Sequence, residues 1–220
     1  MRHIVWDWNG TLLVDQPVVL EGVNQALIAV GGHRISMDVY RRVPKRPVKP
    51  FYERLAGRAL SDDEWHTIDE TYHVAYAEHV AEAPLAPDAV SVMKAAADAG
   101  LGQSLLSMWP HDDLVPLVDS LGLTKWFGRV DGHRGTCGGE KAEHLIEHVT
   151  ALKEETGLPA GDLLVVGDTV DDAIAAREAG TACVLLVSDT YDRDLLEEVG
   201  VPVVDSLTEA LAVALEGSAI

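Results

Sequence analysis

Two spacings of apolar residues divide the chain. Residues 2–8 read as a buried strand, in which a short apolar run delivers Asp7 to its end. From about 16 to 82 the spacing turns helical. "QPVVLEGVNQALIAVG" repeats its apolar positions on one helix face and stops at Gly31-Gly32. A basic stretch punctuated by proline follows, "RRVPKRPVKP", and its prolines are expected to hold it extended. In "LSDDEWHTIDETYHVAYAEHV", Ser61 is an N-cap with Glu64 three residues on, a capping-box pattern. "APLAPDAV" is a Pro-rich boundary. Beyond it strand and helix alternate: "GQSLLSM" (102–108), "HDDLVPLVDSLG", "GRVDG", "EKAEHLIEHVTALKEETG", "DLLVVGD", "DDAIAAREAG", "ACVLLVS", "VPVVDS" and a final helix.

Continuous apolar strands alternating with helices predict an α/β fold, a Rossmann-like parallel sheet with helices on both faces. The first strand belongs to that sheet. The expected core is therefore 1–14 and 83–220, with 15–82 an inserted α-helical cap. Ligands of open α/β sheets bind beyond the carboxyl ends of the strands. An insert that leaves from there covers the site like a lid.

Charge narrows the partners. The formal net charge of −19 argues against nucleic acid and anionic membrane, which both reward positive charge. No apolar run reaches the length of a membrane span, and Arg2 leads straight into the strand with no signal-peptide pattern, so a cytoplasmic protein is expected. Eight of the seventeen basic residues nevertheless fall between 34 and 58, a candidate site for a small anion. Within it, Arg42, Lys45 and Arg46 are the candidates for a second anionic group on a substrate; a solvated basic loop is the alternative. The two cysteines make no disulfide framework: Cys183 reads as core and Cys137 as a loop residue. The sequence leaves monomer and dimer equally open.

Polar groups stand at the strand ends. Asp7, Ser107 and Asp168 close three predicted strands, and Lys141 opens a helix. Asp7 and Asp168 converge if their strands are neighbours, and a hard cation such as Mg2+ takes such oxygen ligands together with substrate phosphate. Ser107 can hydrogen-bond a phosphate oxygen, and Lys141 can neutralise it as a point charge. The backbone N–H groups around Asn9-Gly10-Thr11 are a candidate anion nest, with Gly10 permitting close approach. Asp7 is then free to attack phosphorus. Met108 and Trp109 follow Ser107 on the substrate side, and Trp8 is a candidate for the pocket mouth.

"DWNGTLL", the strand ending in Ser107, then Lys141 and "GDTVDDAIAAREAG", in that order, resemble the haloacid dehalogenase superfamily of phosphatases. The insert resembles the helical cap of its phosphoglycolate phosphatase-like branch. The resemblance implies a Mg2+-dependent phosphatase for a small phosphorylated metabolite, with Asp7 as nucleophile. It implies Asp7, Asp168, the Asn9 carbonyl and, in support, Asp172 around the metal, and Ser107 and Lys141 on the phosphoryl group. Two positions depart from it. Ala142 stands where many relatives have proline, and Asn9 stands where the family's phosphatases carry a proton-transferring aspartate.

An amide does not titrate near neutral pH, and loss of general acid–base catalysis typically costs about 10²–10⁴-fold. Several readings stay open: a phosphatase that uses another proton donor, with His111 or a cap histidine (His66, His73, His79) as candidates; an engineered Asn9; a phosphonate hydrolase with Lys45 or Lys49 as Schiff base; and a phospho-ligand binder with little turnover. His144 and His148 share a helix face at zinc-like spacing, but without a third ligand they read as surface residues.

Overall fold

The computed structural model describes residues 1–134 and 140–217; Cys137 lies outside the described residues. After β1 (His3–Trp6) come four helices, α1 (Gln16–Ala29), α2 (Met37–Arg42), α3 (Val48–Ala56) and α4 (Asp62–His79). Then follow α5 (Ala89–Asp98), β2 (Gly102–Pro110), α6 (His111–Ser120), β3 (Arg129–His133) and α7 (Lys141–Thr156). The chain continues through β4 (Leu163–Gly167), α8 (Val170–Ala179), β5 (Ala182–Leu186), α9 (Arg193–Glu197), β6 (Val203–Val204) and α10 (Leu207–Glu216). Among the described residues, no helix is long and apolar enough to cross a membrane.

The strands form one parallel sheet in the order β3-β2-β1-β4-β5-β6. Alternation along β1 sorts its side chains between two cores. Ile4 and Trp6 join Leu105, Leu164 and Val166 under α5, α6 and α10. Val5 joins Leu106, Val165 and Leu185 under α7 and α8. Helices α1–α4 have an apolar centre of their own, built from Val23, Leu27, Tyr40, Phe51, Tyr52 and Ile68. Ser61 caps α4 in a complete capping box with Glu64.

Several expectations change. The first strand is shorter than 2–8, because β1 ends its pairing at Trp6 and Asp7 starts the turn. Trp8 is fully buried in the core with Leu12 and Leu13, not at a pocket mouth. The basic stretch is not extended throughout: Arg41 and Arg42 end α2, and α3 starts at Val48. Pro47 caps α3 and Pro50 sits in its first turn, where a missing N–H costs nothing. His148 is no surface residue, since its side chain is completely buried. His144 pairs with His133, Nε2 to Nδ1 at 3.0 Å.

His3 is buried beside Ser104. Burial, then the neighbouring His148, lowers its pKa from 6.5 to about 4. The unfolded chain therefore binds a proton between those values that the fold rejects. This contribution is complete above pH 6.5 and is lost as pH falls toward 4, worth roughly 3 kcal/mol at most. Urea midpoints measured from pH 7 to 4 should fall less steeply for His3→Gln than for the unaltered chain; parallel curves contradict this.

Candidate active site

The central strands bring the predicted groups together. Trp6 lies opposite Val166, so Asp7 and Asp168 leave neighbouring strand ends. The Asp7 amide donates to the Val166 carbonyl at 2.8 Å, which fixes where its carboxylate begins. Lys141 opens α7 and reaches across, its Nζ 2.6 Å from Asp7 Oδ1 and 2.5 Å from Asp172 Oδ1. Asp172 comes from the first turn of α8, where Thr169 and Asp172 cap the helix reciprocally. A Cβ on Gly167 would sit 2.1 Å from Asp172 Cγ, so glycine there lets the carboxylate lie against the strand end. Gly10 has φ +77°, and a Cβ on it would meet Asp168 Oδ2 at 2.1 Å.

Asp7, Asp168 and Asp172 each offer an oxygen within 4.8 Å of the others. Three carboxylates share one ammonium in a buried space. Burial, opposed by Lys141 and reinforced by Asp172 and Asp168, pushes the Asp7 carboxyl well above its ordinary range. Burial and then Asp172 push Asp168 up to about 7, against hydrogen bonds from Thr190 and Ser188. Asp168 Oδ2 accepts from Ser188 Oγ at 2.7 Å and Thr190 Oγ1 at 2.5 Å, while its Oδ1 is buried with no hydrogen-bond partner. Asp172 Oδ1 is buried and has Lys141 Nζ as its ion-pair partner. An orphaned carboxylate oxygen in an excess of hard oxygen donors fits a divalent cation such as Mg2+. At 100 times its dissociation constant the ion should stabilise the fold by about 2.7 kcal/mol. Thermal midpoints with Mg2+ and with EDTA should separate, and Asp168→Asn should close the gap. Identical midpoints contradict the site.

Asn9 is held on both polar atoms of its side chain. Its Oδ1 accepts from Ser107 Oγ at 3.1 Å. Its Nδ2 donates to Asp15 Oδ2 at 2.8 Å and to the Tyr76 hydroxyl at 2.6 Å. Tyr76 in turn donates to Asp15 Oδ2 at 2.8 Å. Asp15 is buried, and burial raises its pKa against the bonds from Tyr76, Asn9 and Gly10. The expected nest of amides at Gly10 and Thr11 is not free for an anion. Gly10 N–H serves Asp15 Oδ1 and the Leu13 carbonyl, both at 2.9 Å, and Thr11 N–H serves the Trp8 carbonyl at 3.3 Å. Thr11 Oγ1 lies 3.5 Å from Asp7 Oδ2.

The basic stretch meets the core. Arg41 pairs with Asp189, Arg42 with Asp192 at 3.8 Å and Arg46 with Asp171 at 3.3 Å. Arg42 and Arg46, expected on the substrate, lie beside core carboxylates. Lys45 differs. Its Nζ donates to the Tyr40 and Arg41 carbonyls, and it lies over the rings of Tyr40 and Tyr191 at 4.4 and 4.2 Å. Among the described residues it is the only cation of 41–49 with no carboxylate partner. Burial lowers its pKa to about 8, against the pull of Asp192 and Asp168. Trp109 and Tyr76 meet edge to face at 6.0 Å between centroids, and Met108, next to Trp109 in the chain, is half-buried.

The candidate proton donors point elsewhere. His111 Nδ1 takes the Gly132 amide at 3.1 Å. His66 and His73 pair with Glu70 and Asp69 on their own helix, and His79 is exposed. Asp15, Tyr76, Ser188 and Thr190 escaped the sequence reading. Asp15 looks like an ordinary cap ahead of Pro17, yet its side chain makes no cap bond and turns inward. "SDT" after the fifth strand was the available signal for Ser188 and Thr190.

Strand-end carboxylates, a lysine on the next helix and an inserted helical layer define a class of hydrolase. The chain belongs to the haloacid dehalogenase-like hydrolases, whose family model matches residues 1–180. Within that family it is phosphoglycolate phosphatase-like. It is 25% identical over 227 residues to the phosphoglycolate phosphatase of Pseudomonas fluorescens, covering 99% of this chain and 81% of that protein. Phosphoglycolate phosphatase 1 of Pseudomonas aeruginosa is also 25% identical, over 100% of this chain and 82% of that one. A haloacid dehalogenase-like hydrolase of Streptococcus pneumoniae shares the fold, with TM-score 0.80 and 18% identity over 97% of this chain and 98% of that one.

Proposed function

We propose that the chain is a phosphatase for a small phosphorylated acid, working through a phosphoryl group carried on Asp7 within the 1–14 and 83–220 core. The observation that carries this reading is the Asp7–Lys141 contact at 2.6 Å inside a cluster of three buried carboxylates. An Asp7 carboxylate oxygen attacks phosphorus, a carboxyl–phosphorus bond forms and the ester oxygen leaves with the bonding electrons. Lys141 balances charge on the phosphoryl oxygens, and Ser107 releases Asn9 Oδ1 to donate to one of them. Water then attacks the same phosphorus and returns Asp7 as carboxylate. Asp7, Asp168 and Asp172, with the Asn9 carbonyl, would hold Mg2+, which supplies further charge neutralisation when bound.

Asn9 has no proton to give at neutral pH, so esters whose leaving oxygen needs none, such as acyl and aryl phosphates, suffer least. The curated relatives are named for phosphoglycolate, which carries a carboxylate beside its phosphate. Lys45, half-buried between two rings and without a carboxylate partner among the described residues, suits that second anion. Residues 15–82 act as the cap that presents it, and Arg41, Arg42 and Arg46 hold the cap to the core.

Phosphate release from a panel of phosphorylated acids and an aryl phosphate, with Mg2+ and with EDTA, tests this reading. Metal-dependent release supports it; no release from any member overturns it. Lys45→Ala should raise KM for carboxylated substrates about 10- to 100-fold and leave the aryl phosphate unchanged. An equal effect on both removes Lys45 from substrate recognition.

A further inference from the structure

Beneath the strand ends lies a buried polar chain that phosphate chemistry does not use. His148 Nδ1 is 2.7 Å from Asp131 Oδ2, and its Nε2 is 2.8 Å from Ser104 Oγ. Ser104 Oγ is also 2.8 Å from His3 Nε2. Burial raises the Asp131 carboxyl, but hydrogen bonds from His148 and Arg129 outweigh it and hold Asp131 well below the usual carboxylate range. An ionised carboxylate only accepts, so His148 Nδ1 donates to Asp131. Ser104 Oγ bridges His148 Nε2 and His3 Nε2, so the two rings are joined through one hydroxyl.

We infer that His148 is a positioning residue for Lys141. The two lie seven apart on α7, two turns along one face. Leu145, Val149 and Leu152 press the same helix onto the sheet. Those contacts are non-directional and resist sliding along the helix axis poorly. Two hydrogen bonds on one buried ring are directional and fix the register. Their far ends are well placed for this. His3 lies four residues before Asp7, and Ser104 three before Ser107, each in the strand that delivers the later residue. One buried ring thus ties together the elements that bring Asp7, Ser107 and Lys141 to a point. Lys141 needs that register, because its Nζ must meet Asp7 and Asp172 at once.

This inference rests on the role of Lys141 proposed above, and the test separates the two. Steady-state kinetics on an aryl phosphate with Mg2+ would compare the unaltered protein with His148→Leu, His148→Asn, Ser104→Ala, Lys141→Ala and Leu211→Ala. Leu211 packs on the opposite face of the sheet and serves as the control for lost stability. His148→Leu should lose about 10²-fold in kcat, the scale of a catalytic group displaced by about 1 Å. KM should change little. Ser104→Ala should lose less, and His148→Asn, which keeps a donor toward Asp131, should recover part of the rate. Leu211→Ala should keep a near-normal kcat despite a comparable fall in thermal midpoint. If His148→Leu does not fold, Ser104→Ala and His148→Asn make the same comparison. Losses in kcat no larger than that of Leu211→Ala overturn the inference. Full activity in Lys141→Ala overturns the reading of Lys141, and this inference with it.

Discussion

Asp7→Asn should abolish turnover and leave the fold in place. The loss expected is roughly 10⁶-fold, the scale on which removal of a covalent nucleophile is felt. An amide in this position keeps an acceptor for Lys141 Nζ, now 2.6 Å away, but cannot attack phosphorus as a carboxylate does. Stability should hold or rise. The folded pKa of Asp7 is raised, chiefly by burial, so its stabilising contribution belongs to low pH and is lost as pH rises past the ordinary carboxylate range. At neutral pH without metal, the ionised group is a cost to the fold that asparagine does not carry. Phosphate release and circular dichroism on the same sample check both halves. Normal turnover in a folded Asp7→Asn protein removes the covalent route.

Asn9→Asp should act in the opposite direction. A carboxyl at position 9 lies where the amide now meets Asp15 Oδ2 at 2.8 Å and the Tyr76 hydroxyl at 2.6 Å. Two buried carboxyls at that distance share a proton, which raises the pKa of the pair. The pair therefore keeps a proton, which the carboxyl at position 9 can give up as a general acid. The gain expected in kcat is about 10²–10⁴-fold for an alkyl phosphate and clearly less for an aryl phosphate. The amide makes two donor bonds, to Asp15 and Tyr76, and a carboxyl has one proton at most, so the exchange should cost about 1–3 kcal/mol of stability. Rates for both substrate types, with a urea titration, test this. Equal gains on both substrates, or none, show that proton transfer at position 9 is not what limits the chain.

What was legible in the sequence is what local pattern controls. Apolar runs separated by helical spacing sufficed for the parallel sheet, because strands buried on both faces leave no polar alternation. The strand-end position of Asp7 and Asp168 followed from the same runs, and neighbouring strands then bring them together. Long-range pairing was not legible. Nothing local to "RRVPKR" shows that its arginines meet Asp171, Asp189 and Asp192, more than a hundred residues away. His148 was misread for a related reason: an imidazole at helical spacing looks the same on a solvated face as over a buried serine and aspartate. Asn9 was conspicuous as a departure, but its hold on Asp15 and Tyr76 depends on a helix that lies 67 residues further on.

The most direct test of the covalent mechanism is mass spectrometry of the acid-quenched protein after mixing with Mg2+ and an aryl phosphate. On the proposed mechanism, Asn9 should slow hydrolysis of the intermediate more than its formation from such a donor. The peptide that contains Asp7 should therefore carry one phosphoryl group early in the reaction, and the same peptide from Asp7→Asn should carry none. Rapid phosphate release with Asp7 unmodified at every time point would contradict an aspartyl-phosphate route.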